Sequence, residues 1–176
     1  ALAAGLGVAK VAGLGFGDRL RVVHVDHGLS ANADRWAEFC AEYCRRLGVG
    51  FLTEHVTVDR NSALGLEAAA RAARYEVFAR RAGDLLLLGH HRGDQAETLL
   101  FNLLRGAGVA GAAAIPAERR QQRLRILRPL LDVSREEIEA YARAHRLDWV
   151  DDESNCDTGL TRNFLRHEVL TALAGR

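Results

Sequence analysis

Hydrophobic and polar residues alternate along the chain in two periods, one typical of strands and one typical of helices. A run rich in β-branched residues predicts a strand over 20–27, and a second such run predicts a strand over 50–58. A stripe of apolar residues that includes Trp36, Cys40 and Tyr43 predicts a helix over 32–47, closed by Gly48. A long alanine-rich segment predicts a helix over 64–82, and the chain before these elements predicts a buried helix over 1–12 followed by a glycine-rich loop over 13–17.

The second half repeats the alternation. The segment 84–91, continuously apolar from Leu85 to Leu88, predicts a buried central strand, and a helix is predicted over 94–105. A strand is predicted over 124–131, a helix begins after the capping box of Ser134 and Glu137 and runs through Ala144, and a last helix is predicted over 161–173.

This order predicts an α/β fold, a twisted parallel sheet with helices on both faces, as in Rossmann-like proteins. In such sheets ligands bind at the carboxyl ends of the strands. Two strand ends here are polar although their strands are apolar: Asp26-His27-Gly28 and His90-His91. We therefore expect the functional site at these two ends, in one compact domain with a smaller helical part at its C-terminal side.

Composition narrows the class of protein. With 176 residues, 48% hydrophobic and 27% charged, the chain has the balance of an ordinary globular domain. No apolar run is long enough for a membrane helix, and three unevenly spaced cysteines fit a reducing compartment, so we expect a cytoplasmic protein without a membrane partner. The net charge is only +1, but arginines cluster at Arg119, Arg120, Arg123, Arg125 and Arg128, where they are candidate contacts for RNA phosphates or residues of a solvated face.

The segment 90–98, His-His-Arg-Gly-Asp-Gln-Ala-Glu-Thr, carries the most chemistry. It sets two imidazoles at a strand end and the carboxylates of Asp94 and Glu97 on one face of the following helix. The structural alternative is that both carboxylates cap the helix. Zinc ligation by the histidines is a weaker alternative, because neither HExxH nor CxxC occurs. The glycines at 13–17 follow a helix instead of a strand, which argues against a dinucleotide fingerprint.

Seven blocks of sequence, in order, resemble the PP-loop ATPase domain of tRNA(Ile)-lysidine synthetase. The segment 89–98 is one of the stretches that carry this resemblance, and the others are 24–30, 65–75, 104–108, 128–131, 151–155 and 162–166. The resemblance spans nearly the whole chain. It implies an adenine nucleotide alpha hydrolase-like fold, with the nucleotide-binding domain over 1–133 and its helical C-terminal part over 134–176.

The resemblance implies an ATP- and Mg²⁺-dependent ligase. Such enzymes adenylate the 2-carbonyl oxygen of the wobble cytidine in tRNA(Ile), and free L-lysine then displaces AMP to form lysidine. A homodimer is a further implication. The implied residues are Asp94 and Glu97 for catalysis and metal; Val25, Asp26, His27, His90, His91 and Arg71 for ATP; and Arg74, Arg105, Arg162, Asn163 and Arg166 for tRNA or phosphate.

The chain also departs from the family. The family's PP-loop, Ser-Gly-Gly-x-Asp-Ser, is absent and the chain begins within the helix that would follow it, so we expect this chain alone to bind ATP poorly and to be inactive. Gly93 stands where many members carry aspartate. Two alternatives remain: another PP-loop tRNA-modifying enzyme such as a thiolase, against which the lack of CxxC argues, and a non-catalytic RNA-binding fragment, against which the two carboxylates argue.

Overall fold

A computed structural model describes residues 19–63, 65–121, 123–159 and 161–175. The helix predicted over 1–12 and the glycine-rich loop over 13–17 lie outside these ranges. The described residues form two compact units, one made of residues 19–86 with 123–124 and the other of residues 87–121 with 125–175. The domain boundary predicted at residue 133 stays a prediction.

The first unit is built on a parallel pair of strands, each followed by a helix. Strands β1 (Arg21–Asp26) and β2 (Gly50–His55) pair in parallel, in a register that sets Arg21 opposite Gly50 and Asp26 opposite His55. A parallel pair needs a crossover connection, and helix α1 (Ala33–Arg46) provides it. Helix α2 (Leu66–Arg81) follows β2. The four predicted elements are confirmed, with ends that differ from the prediction by up to three residues.

Helix α1 ends where the sequence predicts. Gly48 takes a left-handed conformation (φ +65°), and the N–H of Val49 donates to the carbonyl of Cys44 at 2.9 Å. This closes the last turn, as glycine does just beyond many helix C-termini. Both Cys44 and Val49 are buried, so the turn also seals the core of this unit.

The second unit contains the other sheet. Its strands are β3 (Leu85–Leu87), β4 (Glu118–Gln121) and β5 (Leu124–Leu127), in the order β3-β5-β4. The first residues of β3 and β5 fall in the other unit. Strand β3 is shorter than the predicted 84–91, but the pairing continues: the N–H of Leu88 donates to Leu127, and His91 forms a parallel bridge with Leu130.

Strand β4 was not predicted. Its four residues are all exposed and polar, so no apolar alternation marks it. Only two residues join it to β5, a length that allows antiparallel strands and not parallel ones. The α/β class with a parallel sheet is confirmed, and β4 adds an antiparallel edge.

The helical elements of the second unit include the three predicted helices, in the predicted order, and two short ones that were not predicted, over 109–112 and 153–156. They are α3 (Arg92–Leu104), α4 (Val109–Ala112), α5 (Arg135–Ala144), a 3₁₀ turn (Glu153–Cys156), α6 (Thr161–Phe164), a π-helix (Leu165–Val169) and α7 (Leu170–Ala174). The capping box of α5 is confirmed: Glu137 N–H donates to Ser134 Oγ, and Ser134 N–H donates to Glu137 Oε2. The last predicted helix has the expected extent but contains the π-helix, which has no sequence signature.

Each unit has its own buried residues. In the first unit these include Val58, Val77 and Phe78, and in the second Ile126, Leu131, Ile138, Ala142 and Leu165. Among the described helices, none combines the length and apolar character needed to cross a membrane.

Candidate active site

The start of α3 brings His91 and Asp94 together. Asp94 Oδ2 accepts a hydrogen bond from the backbone N–H of His91 at 2.8 Å, and His91 Nδ1 accepts one from the N–H of Gly93 at 3.0 Å. An acceptor at Nδ1 requires the proton of the neutral ring to sit on Nε2, which lies 3.7 Å from Asp94 Oδ2. Both side chains are mostly buried, at 16% and 17% exposure. Asp94 therefore caps the start of α3, which is the structural alternative raised from the sequence, and this cap fixes its Oδ2.

Gly93 allows this arrangement. A Cβ atom built at residue 93 would lie 2.8 Å from Cε1 and 3.1 Å from Nδ1 of His91. The first distance is shorter than Cβ contacts in proteins, so an aspartate or any other side chain at residue 93 would shift the imidazole. Glycine at residue 93 thus has a local structural role, since it leaves room for the imidazole of His91.

Glu97 lies one turn further along α3 and is paired with Arg166. Glu97 is 1% exposed, and its Oε1 accepts from Arg166 Nε at 2.6 Å. Within the described structure its second oxygen, Oε2, is buried without a hydrogen-bond partner. Burying a carboxylate is costly unless a cation neutralises it, and the guanidinium supplies that charge.

Arg166 projects from the π-helix, which interrupts the last predicted helix. Its neighbour Leu165 is 1% exposed and anchors this turn in the core. Single π turns inside helices are frequent at functional sites. The predicted contact between Arg166 and phosphate stays a prediction, and the contact present here is with Glu97.

Two residues of α3 that the sequence reasoning missed hold the following loop. Gln95 Nε2 donates to the carbonyl of Ile115 and Gln95 Oε1 accepts from its N–H, both at 2.8 Å. Asn102 Nδ2 donates to the carbonyl of Gly111 at 2.9 Å. The two amides are seven residues apart and share one helical face, which is the signal that could have found them.

The second polar cluster lies at the end of β1, in the first unit. Asp26 Oδ1 accepts from the N–H of Gly28 at 2.8 Å, and Asp26 Oδ2 lies 3.1 Å from His55 Nδ1. The hydrogen bond from Gly28 is the main reason why the pKa of Asp26 lies below its usual value, and His55 adds to it. Val25 precedes this carboxylate in β1 and pairs with Glu54.

His27 connects the end of β1 to α2. Its Nε2 lies 3.1 Å from the carbonyl of Ala70, so a proton on Nε2 completes a hydrogen bond. Burial lowers the pKa of His27, and the nearby positive charge of Arg74 lowers it further. Burial also lowers the pKa of His24 in β1. Both imidazoles are thereby favoured in the neutral form.

The other predicted residues are described by their own contacts and burial. The Arg71 guanidinium lies over the ring of Tyr75, 5.1 Å from its centre, and Arg105 lies over Phe101 at 5.2 Å. Asn163 is 7% exposed and donates to the carbonyl of Asp157 at 2.9 Å. His90 and Arg162 are half-buried.

The two carboxylates of α3 can be tested as a magnesium site. Mg²⁺ commonly takes one or two protein carboxylates and completes its shell with water and substrate phosphates. Asp94 and the unpartnered Oε2 of Glu97 fit that donor set. Within the described residues no three His, Cys, Asp or Glu side chains form a group that could hold a metal by themselves. The donors suit a magnesium ion that arrives with a phosphate ligand.

Comparison with known proteins identifies the family. The sequence profile of the PP-loop domain matches residues 7–173 of this chain. The chain belongs to the PP-loop domain family. PP-loop domains bind ATP, which supports the nucleotide predicted from the sequence.

Curated relatives are about half identical to this chain in sequence. A tRNA(Ile)-lysidine synthase (the synthetase by another name) from Pseudomonas syringae pv. tomato is 54% identical over 156 residues, which cover 88% of this chain and 35% of that protein. One from Vibrio cholerae is 50% identical over 163 residues, covering 92% of this chain and 37% of that protein. The chain thus spans about a third of the length of these relatives.

A solved structure shows the same fold. The U34-tRNA thiolase from Methanococcus maripaludis, determined with its 4Fe-4S cluster, superposes with a TM-score of 0.68 at 18% identity, covering 88% of this chain and 56% of that one. At that identity the likeness concerns the fold alone.

Proposed function

We propose that this chain is the PP-loop catalytic domain of a tRNA(Ile)-lysidine synthase. The observation that carries the proposal is the identity of 54% and 50% to two such enzymes over about nine tenths of the chain. The site agrees with this chemistry, because α3 presents two carboxylates beside imidazoles in a mostly buried setting.

The proposed reaction has two steps. The 2-carbonyl oxygen of the wobble cytidine of tRNA(Ile) attacks the α-phosphorus of ATP, and pyrophosphate leaves. The ε-amine of L-lysine then attacks C2, AMP leaves with the former carbonyl oxygen, and the amine loses a proton. Adenylation is needed because a carbonyl oxygen is a poor leaving group, and Mg²⁺ would neutralise charge on the phosphates.

We assign Asp94 the direct catalytic role. Its Oδ2 is fixed by the N–H of His91, so the carboxyl group is oriented before any substrate binds. A carboxylate in this place can hold the ammonium of lysine and accept its proton. Glu97 supports Mg²⁺ or the same ammonium through Oε2, while Arg166 holds its other oxygen.

The remaining assignments follow the family resemblance. In the first unit Val25, Asp26, His27 and Arg71 would contact ATP, as would His90 and His91 in the second. Arg74, Arg105, Arg162, Asn163 and Arg166 would contact tRNA or phosphate. A homodimer is part of the same proposal.

A thiolase is the second candidate, because such an enzyme would also adenylate a base carbonyl on a PP-loop fold. An iron–sulfur cluster is held by cysteine thiolates. Burial raises the pKa of the thiols of Cys40 and Cys44, which favours their protonated forms. The sequence contains no CxxC either. These features favour the ligase.

The test is ATP-dependent incorporation of labelled lysine into an unmodified tRNA(Ile) transcript by the full-length protein. We expect Asp94→Asn to lower kcat by at least about 100-fold, the usual scale for a lost acid–base group. The amide keeps an oxygen for the N–H of His91, so the fold should persist. Asp34→Asn is the matched control, because Asp34 also lies in the first turn of a helix, α1, outside the site.

Three outcomes are informative. Incorporation that falls in Asp94→Asn and not in Asp34→Asn supports both the reaction and the residue. Equal activity in the two variants removes Asp94 from the chemistry. Sulfur transfer in place of lysine incorporation by the unmutated protein would favour the thiolase.

A further inference from the structure

The edge strand β4 carries exposed arginines that the active site does not use. Its residues Glu118, Arg119, Arg120 and Gln121 are all exposed, and β4 lies at one end of the order β3-β5-β4. The segment 118–125 contains four arginines and one glutamate, a net charge of +3 against +1 for the whole chain. Positive charge is therefore concentrated on one small element.

The arginines of this segment differ in the partners of their side chains. Arg125 forms a two-pronged ion pair with Glu118, with nitrogen–oxygen distances of 3.0 and 3.2 Å. Among the described residues Arg119 and Arg120 form no side-chain ion pair or hydrogen bond, but the charge of Arg120 acts on Glu118 and adds to the lowering of its pKa by Arg125. Two guanidinium groups are thus left with their donors facing solvent.

Arg128, the last arginine of the cluster, has a different role. It is 4% exposed, and its Nη1 donates to the carbonyl of Pro116 at 2.7 Å. Its backbone N–H donates to the carbonyl of Ala117 at 2.9 Å. These bonds fix the chain immediately before β4. Because successive side chains of a strand point to opposite faces, Arg119 and Arg120 project from the two sides of this fixed edge.

We propose that the exposed edge of β4, with Arg119 on one face of the sheet and Arg120 on the other, is a docking surface for the phosphate backbone of the substrate tRNA. Charge complementarity selects the partner: unpaired guanidinium forks bind phosphate oxygens, often in pairs of parallel hydrogen bonds. Such contacts position an RNA without reading its sequence. The proposal rests on the proposed function, because it takes tRNA to be the substrate.

A second reading is that these charges only protect an open strand edge. Charged residues on edge strands prevent pairing with other chains. That reading predicts an effect of their loss on self-association and none on RNA binding. The two readings therefore differ in a measurable way.

The experiment measures binding of unmodified tRNA(Ile) by the full-length protein across a series of salt concentrations. The double variant Arg119→Gln/Arg120→Gln is compared with Arg35→Gln/Arg45→Gln, which removes the same charge from the exposed surface of α1. Each lost phosphate contact lowers the slope of log K against log salt by about 0.7 to 0.9. We expect a decrease of about 1 to 2 in the β4 variant and no comparable change in the α1 variant.

Steady-state kinetics give a second readout. We expect the β4 variant to raise KM for tRNA while kcat and the KM for ATP stay unchanged. Equal salt slopes in the β4 and α1 variants, or a changed slope in both, would overturn the proposal. The unmutated protein could form no lysidine while the β4 variant still lowered the slope of log K against log salt. In that case the docking surface would stand and the proposed reaction would fail.

Discussion

Glu97 and Arg166 form the most deeply buried ion pair that the structure describes. The glutamate is 1% exposed, while the arginine side chain is 27% exposed and reaches solvent on one side. Two ions taken from water keep their charges only if they neutralise each other. The guanidinium therefore compensates the buried charge of Glu97 at Oε1, while Oε2 is buried without a hydrogen-bond partner in the described structure.

Removing the arginine should destabilise the fold strongly. We expect Arg166→Leu to lower the free energy of unfolding by about 3 to 5 kcal/mol, because it leaves a buried carboxylate without its partner. The double variant Glu97→Leu/Arg166→Leu should recover most of that loss. Urea unfolding followed by circular dichroism measures both.

An exposed pair serves as the control. Arg143 and Glu139 are 60% and 28% exposed and lie one turn apart on α5. Arg143→Leu should change stability by less than about 1 kcal/mol. Similar losses for Arg166→Leu and Arg143→Leu would mean that the buried pair adds nothing to stability.

At the level of single elements, the start of α3 depends on a histidine cap. The imidazole of His91 occupies space that a side chain at residue 93 would need, and its Nδ1 accepts the N–H of Gly93. Glycine lacks a Cβ, so here it allows the cap although it costs the helix stability elsewhere.

The effect of Gly93→Ala on the free energy of unfolding should therefore depend on whether His91 is present as the cap. In a His91→Ala background we expect Gly93→Ala to stabilise the fold by about 0.5 to 1 kcal/mol, the usual gain of alanine over glycine in a helix. With His91 present, the displaced cap should offset that gain, since a lost N-cap costs about 0.5 to 2 kcal/mol. Thermal unfolding of the unmutated chain, the two single variants and the double variant gives the coupling energy between residues 91 and 93. Additive effects would contradict the displacement of the ring.

Elements also differ in how readily sequence predicts them. Helix α5 was predicted because Ser134 and Glu137 satisfy each other's backbone groups locally. Strand β4 was missed because its four residues are polar, and only its position beside β5 makes it a strand. The π-helix was missed because a wider turn leaves the apolar pattern nearly unchanged.

At the scale of the whole molecule, stability should depend on pH through His24 and His27. Burial lowers the pKa of both below the ordinary value of 6.5. Between the lowered pKa and 6.5 the unfolded chain binds more protons than the folded one, so falling pH favours unfolding. Stability should be complete above about pH 6.5 and decrease as the pH falls below it.

Melting temperatures at pH 7.5 and pH 5.5 test this dependence. We expect a lower melting temperature at pH 5.5 and a smaller decrease in His27→Gln, which keeps a donor for the carbonyl of Ala70 but does not titrate. His145→Gln, at an exposed position on the C-terminal side of α5, should behave as the unmutated chain does. A pH effect that is the same in all three chains would exclude His27 as its source.

The sequence alone determined the order of the strands and helices other than β4 and α4, the α/β class and the polar ends of β1 and β3, because these depend on periodicity and local capping. It also carried the motifs by which the family is recognised. Tertiary structure decided which charged groups meet. Glu97 and Arg166 are 69 residues apart, and Arg119, Arg125 and Arg128 look alike in sequence although one is unpaired, one is paired and one is buried. The reason is physical: the partner and the solvation of a charge are set by the folded neighbourhood, which local sequence does not encode.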